Sequence, residues 1–199
     1  MAKPESAASV RPSPPSTVVE DVIRERRTSL LVDAAMPVPA ELVDRLIDAA
    51  TWAPNHKRTW PWRFTVVTGD ARVRLGDAMA AQADAAGAAE AKVAKLRGKY
   101  LRSAAVVLVW VARNDDDHEV RGREDRDAVA AAVQNLLLAA TANGVASHWA
   151  SVADELVPAV RTVAGLDDQH DLVALVYLGW PTGSIPPPER PPPAVTHLT

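Results

Sequence analysis

The sequence predicts an α+β fold, a sandwich in which helices flank a central sheet, on three observations. The chain has 199 residues and is 48% hydrophobic, which is enough to bury one core and hardly two. Its apolar patterns run in the order two helices, strand, helices, strand, buried helix, helix, strand. That order lacks the regular strand–helix–strand alternation of a wound parallel sheet, so we expect a sandwich instead.

The individual elements follow from residue spacing and from start and stop signals. Acids precede bases over 18–27, which suits a short helix and its dipole. Pro39 opens a second helix with apolar residues at helical spacing, and Pro54 ends it. Alternating or continuous apolar runs predict strands over 62–68, 104–112 and 172–179. Further helices are predicted within 78–96, as two pieces interrupted at Gly87, and over 154–164, where Pro158 is early enough to be tolerated.

The helix predicted over 126–143 is apolar on nearly every side, and Gly144 supplies its stop signal. A helix of this kind is buried in a core or in a subunit interface. Its apolar stripe consists of Ala128, Val129, Ala132, Val133, Leu136, Leu137 and Ala140.

Both ends of the chain are rich in proline. Residues 1–17 have too few bulky apolar groups to offset the entropy of ordering, which predicts a disordered tail before a domain over 18–182. The closing segment, 183–199, includes three prolines on each side of Glu189 and Arg190, which predicts extended polyproline-like backbone. A solvated tail and a docked arm are equally compatible with that composition.

Composition excludes several classes of function. A net charge of −3 and a pI near 5.9 provide no positive field for nucleic acid. The absence of cysteine removes disulfides, thiolate nucleophiles and cysteine-ligated metals together. Neither a signal peptide nor an apolar run of the ~18 residues that a membrane helix needs is present in the sequence. We therefore expect a cytoplasmic protein without nucleic acid or membrane partners.

The common catalytic motifs are missing from the sequence. It contains no GxGxxG, no GxxxxGK[ST] and no Gly-x-Ser-x-Gly, which argues against classical nucleotide folds and serine hydrolysis. One acidic cluster, from Asp115 to Glu119 with His118 inside it, could be read as a metal site. Such runs are usually solvated loops, so no metal is expected.

Two segments could carry chemistry. Arg26, Arg27 and Thr28 place paired guanidiniums beside hydroxyls, as a phosphate monoester requires, although helix-end charge compensation is the better explanation of these arginines taken on their own. The segment 53–64 crowds a histidine, three bases and two tryptophans into one loop before a strand. The six tryptophans are individually more typical of a core, but Trp60 and Trp149 lie in loop-like contexts where a flat ring could bind.

These motifs, in this order, resemble the nitroreductase superfamily, in particular its compact single-domain members, from about residue 18 to the C-terminus. The most specific is the Ala-Pro-Asn-His-Lys-x-x-x-Pro-Trp-Arg-Phe stretch from Ala53 to Phe64. The others are Arg-Arg-Thr at 26–28, the helix motif from Gln134 through Asn143-Gly144 to Trp149, and Leu-Gly-Trp-Pro at 178–181.

The resemblance implies a central mixed, mainly antiparallel sheet and an obligate homodimer with FMN at the subunit interface. Arg26, Arg27 and Thr28 would hold the phosphate and ribityl side of FMN. His56, near Trp52, would approach the flavin from the partner subunit, and Arg190 would add a phosphate contact. The isoalloxazine would lie beside Trp149, Ala150 and Ser151.

The implied reaction passes hydride from NADH or NADPH, through flavin N5, to a small electron-poor acceptor such as a nitroaromatic or quinone. No protein nucleophile is needed, so no catalytic residue is assigned. Many relatives place a lysine near flavin N1 and O2 where this chain has Leu30. Another donor, with Arg27 or a partner-chain residue as candidates, must then stabilise the reduced flavin.

Three alternatives remain open at the level of the sequence. The first is a specialised reaction of the superfamily, such as reductive dehalogenation or flavin fragmentation. The second is a flavin-binding sensor or carrier without turnover, whose proline-rich ends recruit partners. The third is an interaction module without a cofactor.

Overall fold

A five-stranded sheet runs through the middle of the computed structural model, which describes residues 15–113 and 119–199. The central strand β3 pairs with β2 on one side and β5 on the other, and the far edge of β5 pairs with both β4 and β1. Every pairing between these strands is antiparallel. The strands are β1 (Val32–Asp33), β2 (Trp62–Thr68), β3 (Ala105–Ala112), β4 (Ala146–Ala150) and β5 (His170–Pro181).

Helices cover both faces of the sheet, which confirms the predicted sandwich. Alternate residues of β3 point to opposite faces, as strand geometry requires, so Val107 joins one core and Leu108 the other. Helices α2 and α5 pack on the first core, and α3, α4 and α6 on the second. The helices are α1 (Pro15–Glu25), α2 (Ala40–Thr51), α3 (Ala71–Ala85), α4 (Glu90–Lys99), α5 (Glu119–Ala142) and α6 (Val157–Ala164).

The apolar stripe predicted on α5 forms the centre of the first core. All seven of its residues are at most 5% exposed within the single chain. The helix begins at Glu119, seven residues before the predicted start. The residues from 119 to 125 are almost all polar, so no hydrophobic period marks that first part of the helix.

Two strands were not predicted from the sequence. Strand β1 has only two residues, and β4 carries Ser147 and His148 within a run of five, which hides the strand pattern. Both strands exist because β5 offers an edge to pair with. The prediction that Trp149 lies in a loop is therefore wrong, since it pairs with Val176 on β5.

Two sequence predictions fall wholly or mainly outside the described residues. The acidic cluster at 115–119 lies outside the described side chains, and so does most of the tail assigned to 1–17. The arm 183–199 contains neither helix nor strand. Among the residues that the structure describes, the helices lack the length and apolar character to span a bilayer.

Candidate functional site

A backbone junction joins two of the predicted site segments. Thr28 forms an isolated parallel bridge with Ser147, and the backbone N–H of Ser29 donates to the carbonyl of Ser147 at 2.9 Å. Trp149 follows two residues later on β4 and is 38% exposed. The fold thus brings the Arg26–Thr28 motif beside the Trp149–Ser151 segment, although about 120 residues separate them in the sequence.

A cavity of about 1000 Å³ lies between the end of α1 and the C-terminal arm. Three of the predicted phosphate-binding residues, Arg26, Arg27 and Arg190, line it together. The cavity is also lined by Ile23, Arg24, Glu25, Gln134, Ile185, Pro187 and Pro188. The fold therefore brings guanidiniums from two distant parts of the chain to one cavity.

The three guanidiniums have few competing acids. In the described ranges, none of the three pairs with a carboxylate, whereas the neighbouring Arg24 already pairs with Glu20 and Asp21. Arg27 donates from Nη1 to the carbonyl of Arg24 at 2.5 Å, which caps the end of α1. Its Nε is buried without a hydrogen-bond partner. Buried donors are normally satisfied, so this cavity suits an anionic ligand with several oxygens.

His56 lies at a different part of the chain from this cavity. It belongs to a short 3-10 turn after α2, and its Nδ1 lies 2.8 Å from Oε2 of Glu124 near the start of α5. Gln134, the α5 residue that lines the arginine cavity, follows Glu124 by ten residues, or about 15 Å of helix. A single chain therefore does not bring His56 to the cavity of its own arginines.

Two tryptophans near His56 are exposed. Trp52 caps the end of α2 and is 81% exposed, and Trp60 is 54% exposed and contacts the buried Trp62 edge-on at 5.8 Å between ring centroids. Large aromatic side chains left open in this way usually mark a surface that a partner or ligand covers.

Burial favours the uncharged forms of His148 on β4 and of the two tyrosines packed near it. His148 packs edge-on against Tyr177, with ring centroids 5.8 Å apart. Burial, followed by the charges of Arg102 and Lys99, lowers the pKa of His148 below its ordinary 6.5. Burial raises the pKa of Tyr177 and of Tyr100, which stack on each other. These three rings therefore stay uncharged at neutral pH, and the charged groups beside them are Arg102 and Lys99.

Leu30 follows the same motif and offers no charge. It is half-buried and packs against the second core, together with Ala150 and Val152. The aliphatic residue is thus part of the packing that supports β4. Any cation near this part of the site must come from elsewhere.

Sequence reasoning assigned no role to several residues that build the site. Gln134 lines the arginine cavity, Ser147 anchors Thr28, and Glu124 and Asp125 hold the His56 loop. The one available signal was the polar pair Gln134 and Asn135 within an apolar helix. The other contacts depend on which elements meet in space.

The comparisons with known proteins agree with this architecture. The model of the nitroreductase family matches residues 23–180. The chain belongs to the nitroreductase family. YdjA from Escherichia coli strain K12, provisionally named an NAD(P)H nitroreductase, is 32% identical over 164 residues, covering 82% of this chain and 87% of YdjA.

Solved structures of the nitroreductase family share the fold. A nitroreductase-like protein from Bacillus cereus has a TM-score of 0.76 and 27% identity, covering 94% of this chain and 95% of its own. A provisionally named nitroreductase from Desulfovibrio desulfuricans, solved in complex with FMN, has a TM-score of 0.65 and 27% identity, covering 90% and 94%. The predicted family and fold are therefore confirmed.

Proposed function

We propose that this chain is an FMN-dependent, homodimeric oxidoreductase that passes reducing equivalents from NADH or NADPH to a small electron-poor acceptor such as a nitroaromatic or quinone. The observation that carries the proposal is the cavity lined by Arg26, Arg27 and Arg190, joined through Thr28 to the strand that bears Trp149. Membership of the nitroreductase family, the name of YdjA and the FMN complex of the Desulfovibrio relative support it.

The residues present fit FMN. Its phosphate is a dianion with several acceptor oxygens, which matches forked guanidinium donors and the unpartnered Nε of Arg27. A cavity of about 1000 Å³ is at the upper end of the usual range for ligand sites. The exposed face of Trp149 offers a flat apolar surface for the ring system.

The separation of the two groups of site residues supports the proposal of a homodimer. The arginine cavity and His56 lie at different points along α5, so one chain supplies two half-sites rather than one whole site. In a two-fold dimer, the half-site of one chain can meet the complementary half-site of the other. The exposed apolar residues of α1, Val18, Val19 and Ile23, and the exposed Trp52 provide surface for such a contact.

Within this dimer each residue has a separate task. Arg26, Arg27 and Arg190 bind the phosphate, Thr28 donates to the ribityl side, and Trp149, Ala150 and Ser151 line the ring. His56 and Trp52 of one chain close the site of the other chain and exclude water. When bound, FMN supplies the hydride chemistry at N5, which needs no protein nucleophile. Because Leu30 carries no charge, the N1 edge is stabilised by a partner-chain donor, or by Arg27 in place of its phosphate contact.

A visible absorption spectrum and an acceptor screen test the proposal. Purified protein should be yellow, release about one FMN per chain, and oxidise NADH or NADPH in the presence of a nitroarene or a quinone. Colourless protein that takes up no FMN would contradict the assignment. Yellow protein that fails with every acceptor would indicate a flavin-binding sensor or carrier.

A further inference from the structure

The loop from Asn55 to Trp60 has an unusual backbone. Three of its residues, Lys57, Arg58 and Trp60, have φ values of 61°, 55° and 49°. Residues other than glycine adopt this left-handed region rarely, and for a bulky side chain it is strained. Such a conformation persists only where the surrounding structure fixes it, so the contacts that hold this loop matter.

Two polar side chains of the loop close it on itself. The backbone N–H of Trp60 donates to Oδ1 of Asn55 at 2.8 Å. Nδ2 of Asn55 donates to Oγ1 of Thr59 at 3.0 Å. The hydroxyl of Thr59 then donates to the carboxylate of Asp125 on α5. The loop is thus connected to the helix through one chain of hydrogen bonds.

Asp125 is the buried acceptor on α5 in this chain of hydrogen bonds. It is 2% exposed, and Nδ2 of Asn55 also lies 3.5 Å from its Oδ1. Hydrogen bonds to a buried charged acceptor are strong, because a buried carboxylate that loses a donor regains no water. The preceding residue, Glu124, holds His56. Two successive acids therefore fix the shape of the loop and the place of its histidine.

We propose that Asp125 is a positioning residue that, through Thr59 and Asn55, holds this strained loop in the conformation that presents His56 and Trp60 to the flavin of the partner chain. The part concerning the flavin rests on the proposed function. The part concerning the loop rests on the contacts of this chain alone.

Amide hydrogen exchange of the FMN-loaded protein tests the loop directly. Asp125→Ala should raise the exchange rate of the Arg58 and Trp60 amides, which donate to Asn55 within the loop, by about 10-fold to 100-fold, the effect of losing a hydrogen bond to a charged group. Exchange in β3 should stay unchanged. The matched control is Asp127→Ala, which removes an exposed acid from the same helix two residues later.

A second pair of variants keeps the test decisive if Asp125→Ala does not fold. Thr59→Val preserves the shape of the side chain but removes its hydroxyl, and should reproduce the faster exchange. Thr59→Ser retains the hydroxyl and should restore slow exchange. A structural effect of side-chain size alone would give the opposite order, because valine is closer to threonine in volume than serine is.

Kinetics separate positioning from general damage. In Asp125→Ala or Thr59→Val, kcat/KM for the acceptor should fall by about 10-fold while the Kd of FMN changes by less than about threefold, because the arginine cavity is untouched. The proposal is overturned if loop exchange equals that of Asp127→Ala, if Thr59→Ser exchanges as fast as Thr59→Val, or if FMN is lost together with turnover. A wild type without flavin or turnover would contradict the proposed function instead, and the same exchange comparison on the protein as purified would then test the loop on its own.

Discussion

The two proposed half-sites of this chain are built in different ways. The segment from Arg26 to Thr28 is fixed by backbone pairing to β4, through Thr28, Ser29 and Ser147. The loop from Asn55 to Trp60 is fixed by side chains, through Asn55, Thr59 and Asp125. Backbone anchoring tolerates side-chain substitution, whereas side-chain anchoring depends on each contact.

Because of this difference, substitutions in the two half-sites should affect different properties, ligand binding in the first and loop conformation in the second. A substitution in the first half-site should remove a ligand contact and leave the fold intact, because the backbone still pairs with β4. A substitution in the second should change the conformation of the loop and leave the ligand contacts of the other half-site intact.

The largest effect is expected for Arg26→Ala. Truncating one partner of a buried charge pair costs about 2–5 kcal/mol, which corresponds to roughly 30-fold to several thousand-fold in the Kd of FMN. Loss of a helix-end arginine that only offsets the dipole costs about 0.3–1 kcal/mol, so the protein should still fold. Titration of FMN into the apoprotein measures the difference, and Arg26→Lys should lie between wild type and alanine because it keeps the charge without the fork.

If Arg26 serves only to compensate the helix end, Arg26→Ala will stay fully yellow. A change in the Kd of less than about threefold, or about 0.7 kcal/mol, would return this arginine to a structural role.

A smaller effect is expected from removing residues 185–199. The arm contributes Arg190, Pro187 and Pro188 to the cavity, and its Ile185 is half-buried. Loss of about 1 kcal/mol lowers the Tm of a domain of this size by about 2–4 °C, which thermal melts of the FMN-loaded protein can resolve. Removal of residues 1–14, which precede α1, is the control and should leave the Tm and flavin content unchanged. Equal Tm values for the two truncations would contradict a docked arm.

The smallest effect concerns pH and His148. The pKa of His148 is lowered in the folded chain, so below its ordinary value of 6.5 the unfolded chain binds more protons than the folded one. Stability should therefore fall as the pH drops through about 6.5 and further toward the folded pKa. Urea unfolding at pH 7.5 and pH 5.5 should show a smaller difference for His148→Gln than for wild type. Identical pH dependence in the two proteins would show that His148 does not contribute to the pH dependence of stability.

The sequence predicted those parts of the molecule that a local pattern controls. The apolar runs of β2, β3 and β5 and the apolar stripe of α5 determine which faces are buried, and the motif at Arg26–Thr28 suggested a phosphate site. Strand β4 was missed because Ser147 and His148 interrupt its short pattern. The contact of Thr59 with Asp125, 66 residues away, leaves no trace in either local segment.

The sequence also did not predict that the site residues divide into two groups, one around the arginines and one around His56. His56 and Arg26 lie only 30 residues apart in the chain, yet His56 contacts Glu124 near the start of α5, whereas Arg26 lines a cavity together with Gln134, ten residues later on that helix. Because of that separation, the proposed flavin site requires residues from two chains.

The most direct test of shared sites uses heterodimers made from differently tagged chains. In the first, one chain carries Arg26→Ala and the other His56→Ala. In the second, one chain carries both substitutions and the other is wild type. If each flavin site combines the arginines of one chain with His56 of the other, the first heterodimer retains one intact site, with up to about half of the wild-type turnover and tightly bound FMN, and the second retains none. The reverse order, with the second heterodimer active and the first inactive, would show that each site is built from a single chain and would contradict the account.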